Sequence, residues 1–241
     1  MKRFLVCLSV IACASILFVS AGKGKALPKG EPLNAGLDSL DSALFHTASW
    51  CNGDPFDCGW GQDHVTFADG KMTLHLDDKP SHGKKYTGAE FRTNKTYPYG
   101  TFSTRMKAAK CDGIVSSFFT YTNKPVWDEI DFEVLGKDTT KVQVNYYVKG
   151  VGGHEKMIDL GFDASENFHE YAFKWMPGQI EWYVDGKLVH TAKGKNLPEN
   201  PQQIMMNLWN GKGVDSWLKK FKYSGELTAS YDYVKYEPLS E

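Results

Sequence analysis

Trp127-Asp128-Glu129-Ile130-Asp131-Phe132-Glu133-Val134-Leu135-Gly136 reads as one β-strand with two unlike faces. Successive side chains on a strand point to opposite sides. Ile130, Phe132 and Val134 therefore form an apolar face suited to packing between sheets, and Trp127, Glu129, Asp131 and Glu133 form the other. Like charges side by side on a sheet are destabilising. A strand that merely faces water would interleave such acids with Lys or Thr, and no cation sits among these three. The face costs stability, so a chemical use for it is the better reading.

Glu129 and Glu133 stand four residues apart, about 13 Å along a strand at ~3.3 Å per residue. Side chains leaning inward from there can bring two carboxyls to the ~5 Å separation of a retaining glycoside hydrolase, with the sugar between them. One carboxylate must be ionised to attack the anomeric carbon, while the other must hold a proton for the leaving oxygen. Neighbouring carboxylates raise one another's pKa, which serves the acid, and Asp131 can hydrogen-bond to one Glu and keep the two charge states apart. A carbohydrate-binding module without catalysis is the competing class, and it has no use for this pair.

Working outward, the chain keeps the same texture. His64-Val65-Thr66-Phe67 and Met72-Thr73-Leu74-His75-Leu76 flank Ala68-Asp69-Gly70, a hairpin signal. Ile180-Glu181-Trp182-Tyr183-Val184 and Leu188-Val189-His190 flank Asp185-Gly186, a second one. Phe102, Thr104, Met106 and Ala108 alternate with Ser103, Arg105 and Lys107, and Tyr231 to Tyr236 closes the chain as a strand. Val214, Trp217, Leu218 and Phe221 follow helical spacing and predict a short helix. Many short strands without a repeat or a composition shift predict a single all-β sandwich of antiparallel sheets.

The chain has 241 residues, and its 28 Lys+Arg against 29 Asp+Glu give a net charge of -1, which speaks against a nucleic-acid binder. Aromatic residues make up 14%, more than a core of this size needs, and a surface that stacks on sugar rings could use the rest. Lys2 and Arg3, the apolar run Phe4 to Val19 and the small residues Ser20-Ala21-Gly22 read as a secretory signal peptide over 1–21. The alternatives are an anchoring helix, although the run is short of the ~20 residues a span needs, and lipid attachment through Cys13. Residues 22–36 read as a linker or loose first strand, and 37–241 as the folded domain. The expected location is extracellular, as a monomer with no membrane contact after cleavage. Cys51, Cys58 and Cys111 then remain, an odd number with open pairing, and the 7 scattered His make a transition-metal site improbable. Asn94-Lys95-Thr96 is a sequon that matters only in a eukaryotic secretory route.

The carboxylate strand resembles the E-x-D-x-E signature of glycoside hydrolase family 16, and its regular alternation resembles the lichenase branch. Further matching runs are Gly113 to Thr122, Gly136 to Tyr147, Gly152 to Lys156, Leu160 to Ser165 and Ile204 to Gly211, within a likeness from about Asp41 to Tyr236. The resemblance implies a jelly-roll sandwich with a concave substrate cleft. It implies Glu129 as nucleophile, Glu133 as general acid/base and Asp131 as assistant, with no catalytic cofactor. It implies a substrate of mixed-linkage β-glucan, cut at β-1,4 bonds that follow a β-1,3 link; a xyloglucan-type transglycosylase is the nearest rival. Cleft positions would be Asn52, Phe56, Glu90, Arg92, Phe119, Tyr121, Trp127, Asn145, Tyr147, Asn207 and Trp209. Period two supports several of these: Glu90 with Arg92, Asn207 with Trp209, and Gln143 with Asn145 and Tyr147 share faces. Amides can satisfy sugar hydroxyls while flat rings stack on the apolar face of glucose. The resemblance further implies a structural Ca²⁺ away from the cleft, at Gly70 and Asp232, where the Asp232 carboxylate beside Val234 wants a counter-charge. Two departures stand out. Relatives of the bacillus type bridge the positions of Cys58 and Gly88, which this chain cannot do, and the Tyr121 to Trp127 loop is shorter.

Overall fold

The computed structural model describes residues 29–239; the leader expected over 1–21 lies outside them. Sixteen strands follow one another. They are β1 (Leu33–Gly36), β2 (Phe45–Thr47), β3 (Cys58–Trp60), β4 (Val65–Ala68), β5 (Lys71–Leu76), β6 (Tyr86–Thr93), β7 (Gly100–Lys107) and β8 (Ile114–Tyr121). Then come β9 (Glu129–Leu135), β10 (Lys141–Tyr147), β11 (Lys156–Asp159), β12 (His169–Met176), β13 (Gln179–Val184), β14 (Lys187–Lys193), β15 (Gln203–Asn210) and β16 (Leu227–Pro238). The expected helix is one turn, α1 (Asp215–Leu218), and Phe221 lies beyond it.

The strands form two eight-stranded sheets. The supporting sheet runs β14-β13-β12-β7-β16-β5-β4, with β1 added on β16. The second runs β11-β10-β9-β8-β15-β6-β2, with β3 added on β6 as the one parallel pairing among the described residues. Both hairpins turn as the sequence predicts: Asp69 and Gly70 have φ of 51° and 72°, Asp185 and Gly186 of 48° and 73°. Positive φ at two successive residues suits the right-handed twist of the flanking strands and explains the Asp-Gly pairs. The segment expected to be linker or loose strand ends in β1, which pairs with β16 and buries Leu33.

The core fills the space between the sheets. From β9 it takes Ile130, Phe132 and Val134, the face that period two assigns to it. Phe132 meets Tyr171 of β12 at 5.4 Å, and Phe118 of β8 meets Phe173 of β12 at 5.6 Å. Burial of such rings is worth about 1.5–3 kcal/mol each, the largest favourable contribution here. Two polar links cross the same layer. The indole N–H of Trp182 donates to the Asp131 carbonyl at 3.1 Å, and the Tyr231 hydroxyl donates to the Ser117 carbonyl at 2.8 Å. Strands β8 and β9 are thereby pinned from behind, which fixes where their outward side chains stand.

Candidate active site

The outward face of the second sheet carries side chains in rows. Glu129 lies between Tyr147 and Tyr121, Asp131 between Asn145 and Phe119, and Glu133 between Gln143 and Ser117. Two rows run on across β15 and β6: Phe119 meets Met205 and then Arg92, and Ser117 meets Asn207 and then Glu90. The register is unbroken from Glu129 to Glu133, so all three carboxyls share one face. Asp131, Asn145, Asn207 and Glu90 point away from the core yet are no more than 4% exposed. Walls of loop and ring must cover them, and the face is the floor of a cleft.

Glu129 is held by a residue under backbone strain. Trp127 sits at φ 48°, a left-handed conformation that bulky side chains avoid. Such strain persists where the surroundings over-determine it. The Trp127 carbonyl accepts the Gly150 N–H at 2.8 Å, and its ring stacks on Tyr147 at 5.6 Å. Next to it, the buried Asp128 carboxylate accepts the N–H groups of Lys149, Glu199 and Asn200, which joins three loops. The result is an indole N–H donating to Glu129 Oε2 at 2.7 Å. Glu133 Oε2 accepts instead from the Gln143 amide at 2.7 Å.

The protonation states follow from these surroundings. Burial raises the pKa of all three carboxyls. Asp131 is held well above the usual carboxylate range by burial and then by the charges of Glu129 and Glu133, so it keeps its proton and donates it to Glu129. Glu129 is pushed up by burial but receives two donors, Trp127 and Asp131, which favour its ionised form. Glu133 is raised by burial and by the Glu129 charge, with the single Gln143 donor against it. Two donors against one favour the ionised form more strongly at Glu129 than at Glu133, an inequality of the kind a double displacement uses.

The remaining expected residues fall into place unevenly. Glu90 and Arg92 pair within the floor, with the Trp50 ring 4.8 Å from the Arg92 guanidinium. Burial raises Glu90 while Arg92 opposes the rise. Asn207 accepts the Ser117 hydroxyl at 2.5 Å and also hydrogen-bonds Glu90. Among the described residues the Asn145 side-chain oxygen and the Arg92 Nε are buried without a hydrogen-bond partner. Phe56 packs on Trp209 at 4.3 Å and on Trp60 at 5.5 Å, so it helps hold the Trp209 ring in place. Asn52 is half-buried in the loop between Trp50 and Phe56. Sequence reasoning missed Met205 and Ser117, although period two from Phe119 and Asn207 would have found both. It also missed Asp128, whose N–H partners come from distant loops.

Away from the cleft, one expectation needs correction. The Asp232 carboxylate is not waiting for a counter-charge, because Arg105 Nη1 pairs with it at 2.9 Å. Leu37 and Asp38 link the Asp232 backbone to Gly70. The Leu37 N–H donates to the Asp232 carbonyl at 3.2 Å, and Asp38 Oδ1 lies 3.2 Å from where a Cβ on Gly70 would sit. Among the described residues no three His, Cys, Asp or Glu side chains gather into a metal cluster. Cys51, Cys58 and Cys111 are all free thiols. Burial pushes the Cys58 thiol up to about 12, so it is inert.

Residues 52–234 match the family described as Glycosyl hydrolases family 16. A "Beta-glucanase" of Paenibacillus macerans is 54% identical over 245 residues, covering 98% of this chain and 98% of its own length. A "Beta-glucanase" of Acetivibrio thermocellus is 51% identical over 211 residues, covering 86% of this chain; the match spans 63% of that longer protein. Among solved structures, a prokaryotic beta-1,3-1,4-glucanase (lichenase) derived from a mouse hindgut metagenome superimposes with a TM-score of 0.84 at 49% identity, over 86% of this chain and 99% of that one.

Proposed function

The chain belongs to glycosyl hydrolase family 16, and from that premise we propose that it is a retaining endo-β-1,3-1,4-glucanase acting on mixed-linkage β-glucan by double displacement. The observation that carries the mechanism is the pair of unequal glutamates on one strand face. Glu129, ionised by its two donors, attacks C1 from below while Glu133 protonates the leaving oxygen. Loss of that proton turns Glu133 into the base that draws a proton from the incoming water, which releases the sugar with its configuration retained. Asp131, protonated between them, holds Glu129 in its charged form. The polysaccharide lies across the strands, its hydroxyls taken by Glu90, Arg92, Asn145 and Asn207 and its ring faces by Trp127, Tyr121, Phe119, Tyr147 and Trp209. Asn52 and Phe56 bound the cleft beside Trp209. Incubation with lichenan, laminarin, carboxymethylcellulose and xyloglucan side by side tests this reading. Rapid release of reducing ends from lichenan alone is expected, and comparable rates on laminarin would defeat it.

Export as a monomer and a structural Ca²⁺ complete the proposal. The pattern of residues 1–21 supports export, and N-terminal sequencing of protein from the medium should begin at Gly22. For the ion, the donors are the Gly70 carbonyl and the Asp232 carboxylate, with Asp38 Oδ1 beside Gly70 as a further hard oxygen. The Arg105 pairing of Asp232 is part-exposed and weak enough to yield to a divalent cation. Binding to the folded state alone stabilises by about 2.7 kcal/mol at 100 times Kd. Millimolar Ca²⁺ should raise Tm by several degrees, EDTA should reverse it, and equal Tm in both would remove the site.

A further inference from the structure

Glu133 depends for its donor on a side chain that has no built-in direction. An amide can turn either its NH₂ or its oxygen toward a neighbour. If Gln143 turned its oxygen to Glu133, it would stabilise the protonated acid and oppose the ionised product. The other end of Gln143 settles the matter. Its Oε1 accepts the indole N–H of Trp217 at 3.0 Å, while its Nε2 donates to Glu133 Oε2 at 2.7 Å. An indole N–H can only donate, so the amide end facing Trp217 must be oxygen and the end facing Glu133 must be nitrogen. Gln143 is buried, which leaves no room for solvent to set the amide instead. Trp217 itself stands on α1, which is fastened to the start of β8 by the Gly113 N–H donating to the Leu218 carbonyl at 2.8 Å. Its ring packs near Trp209 at 6.0 Å.

We propose that Trp217 is a positioning residue for the general acid/base: by orienting the Gln143 amide it keeps an N–H on Glu133 Oε2 and leaves Oε1 to carry the transferable proton. The inference rests on the role assigned to Glu133 above. In the first step a Glu129 lone pair forms the bond to C1 as the C1–oxygen bond breaks. The leaving oxygen takes the proton from Glu133 Oε1, and the new carboxylate charge is met by the Gln143 N–H already in place. In the second step Glu133 recovers a proton from the attacking water, and the same N–H stays on Oε2. Among the described residues the charged groups acting on Glu133 are acidic, Glu129 from its own strand and Glu155 from the segment before β11, while Asp131 between the two glutamates keeps its proton. The facing side chain from β8 is Ser117, which is neutral. The Gln143 donor is thus the counterweight that lets Glu133 ionise during turnover.

The test is Trp217→Phe, which keeps an aromatic ring near Trp209 and removes the N–H together with the five-membered ring. The pH profile of kcat/KM on a lichenan oligosaccharide should have its basic limb moved up by roughly one pH unit, the size of one lost hydrogen bond to a charged group. Gln143→Ala should move the limb in the same direction, and adding Trp217→Phe to it should move it no further. Trp217→His, which retains a ring N–H, should fall between wild type and Trp217→Phe and serves as the second variant should Trp217→Phe fold poorly. A basic limb that stays put in both Trp217 variants, with only KM raised, would show a sugar contact instead and overturn the proposal. So would a second displacement on the Gln143→Ala background. Glu133→Ala with azide separates the two levels: a β-glycosyl azide with an unmoved Trp217→Phe limb sinks the positioning role alone, and an α-azide sinks the assignment of Glu133 as well.

Discussion

The outward faces of the two sheets handle acidic residues in opposite ways. On the supporting sheet Arg105 stands opposite Glu170 and Lys174 opposite Glu181, and Asp232 is paired with Arg105. Off its edge, Asp163 accepts from Lys110 Nζ at 2.5 Å, Thr139 Oγ1 at 2.5 Å and Ser165 Oγ at 2.6 Å. There each acid has a cation or several donors, as stability alone would arrange. On the cleft face Glu129, Asp131 and Glu133 share one strand with neutral donors only. One chain therefore shows both what a structural acid looks like and what an acid kept for chemistry looks like. These three carboxylates, unlike the Arg92-paired Glu90 on the same face, are held against stability, and substitutions can upset the contrast from either side.

The largest effect should come from the cleft. Glu129→Ala removes the nucleophile and Glu133→Ala the acid, and each should lower kcat/KM on lichenan by roughly four orders of magnitude. Near wild-type turnover in either would end the comparison. Asp131→Asn should cost less, on the order of a hundredfold. An amide N–H replaces the carboxyl O–H on Glu129, so the ionised form of Glu129 loses stabilisation and the acidic limb of kcat/KM should move to higher pH. An unmoved acidic limb would remove Asp131 from this role.

The next two predictions set the faces against each other through stability. Burial holds the folded pKa of Glu133 above its unfolded value, so the native state binds the proton more tightly. The stability it contributes is fully present below the unfolded pKa and is lost as pH rises through the folded one. Glu133→Gln, always neutral, should match wild type in Tm at low pH and exceed it by a growing margin towards pH 8, measured by thermal melts. A margin that shrinks with pH would contradict the account. Asp163 runs the other way. Lys110, Ser165 and Thr139 hold its pKa well below the usual carboxylate range, so its contribution is present above the unfolded pKa and lost on acidification. Asp163→Asn should cost about 1–2 kcal/mol at neutral pH, less in acid, and leave kcat unchanged. A loss of activity without a loss of Tm would place Asp163 on the wrong side of the comparison.

What the sequence showed and hid follows the same line. Alternation along Trp127 to Gly136 gave the face of each carboxylate, and Asp-Gly at 69–70 and 185–186 gave both hairpins, because these depend on neighbours in the chain. Alternation says which side a residue points to and not what waits there. Asp232 looked unpaired because its partner Arg105 belongs to a strand 127 positions away that only sheet pairing brings beside it. Trp217 looked like one residue of a helix face, since its link to Gln143 crosses 74 positions. Asp128, next to Glu129, gathers N–H groups from loops 21 and 71 positions on. The resemblance supplied the cleft list, and the rows of registered strands supply the reason for it.

The anomeric configuration of the azide product from an activated aryl β-glycoside shows whether Glu129 and Glu133 divide the roles of nucleophile and acid/base. Glu129→Ala with azide should give the α-glycosyl azide, because azide enters from the face the carboxylate has vacated while Glu133 still serves the leaving group. Glu133→Ala should give the β-glycosyl azide, because azide then attacks the glycosyl-enzyme formed on Glu129. The opposite configurations in the two variants would reverse the assignment, and the same configuration in both would contradict a division of roles between them.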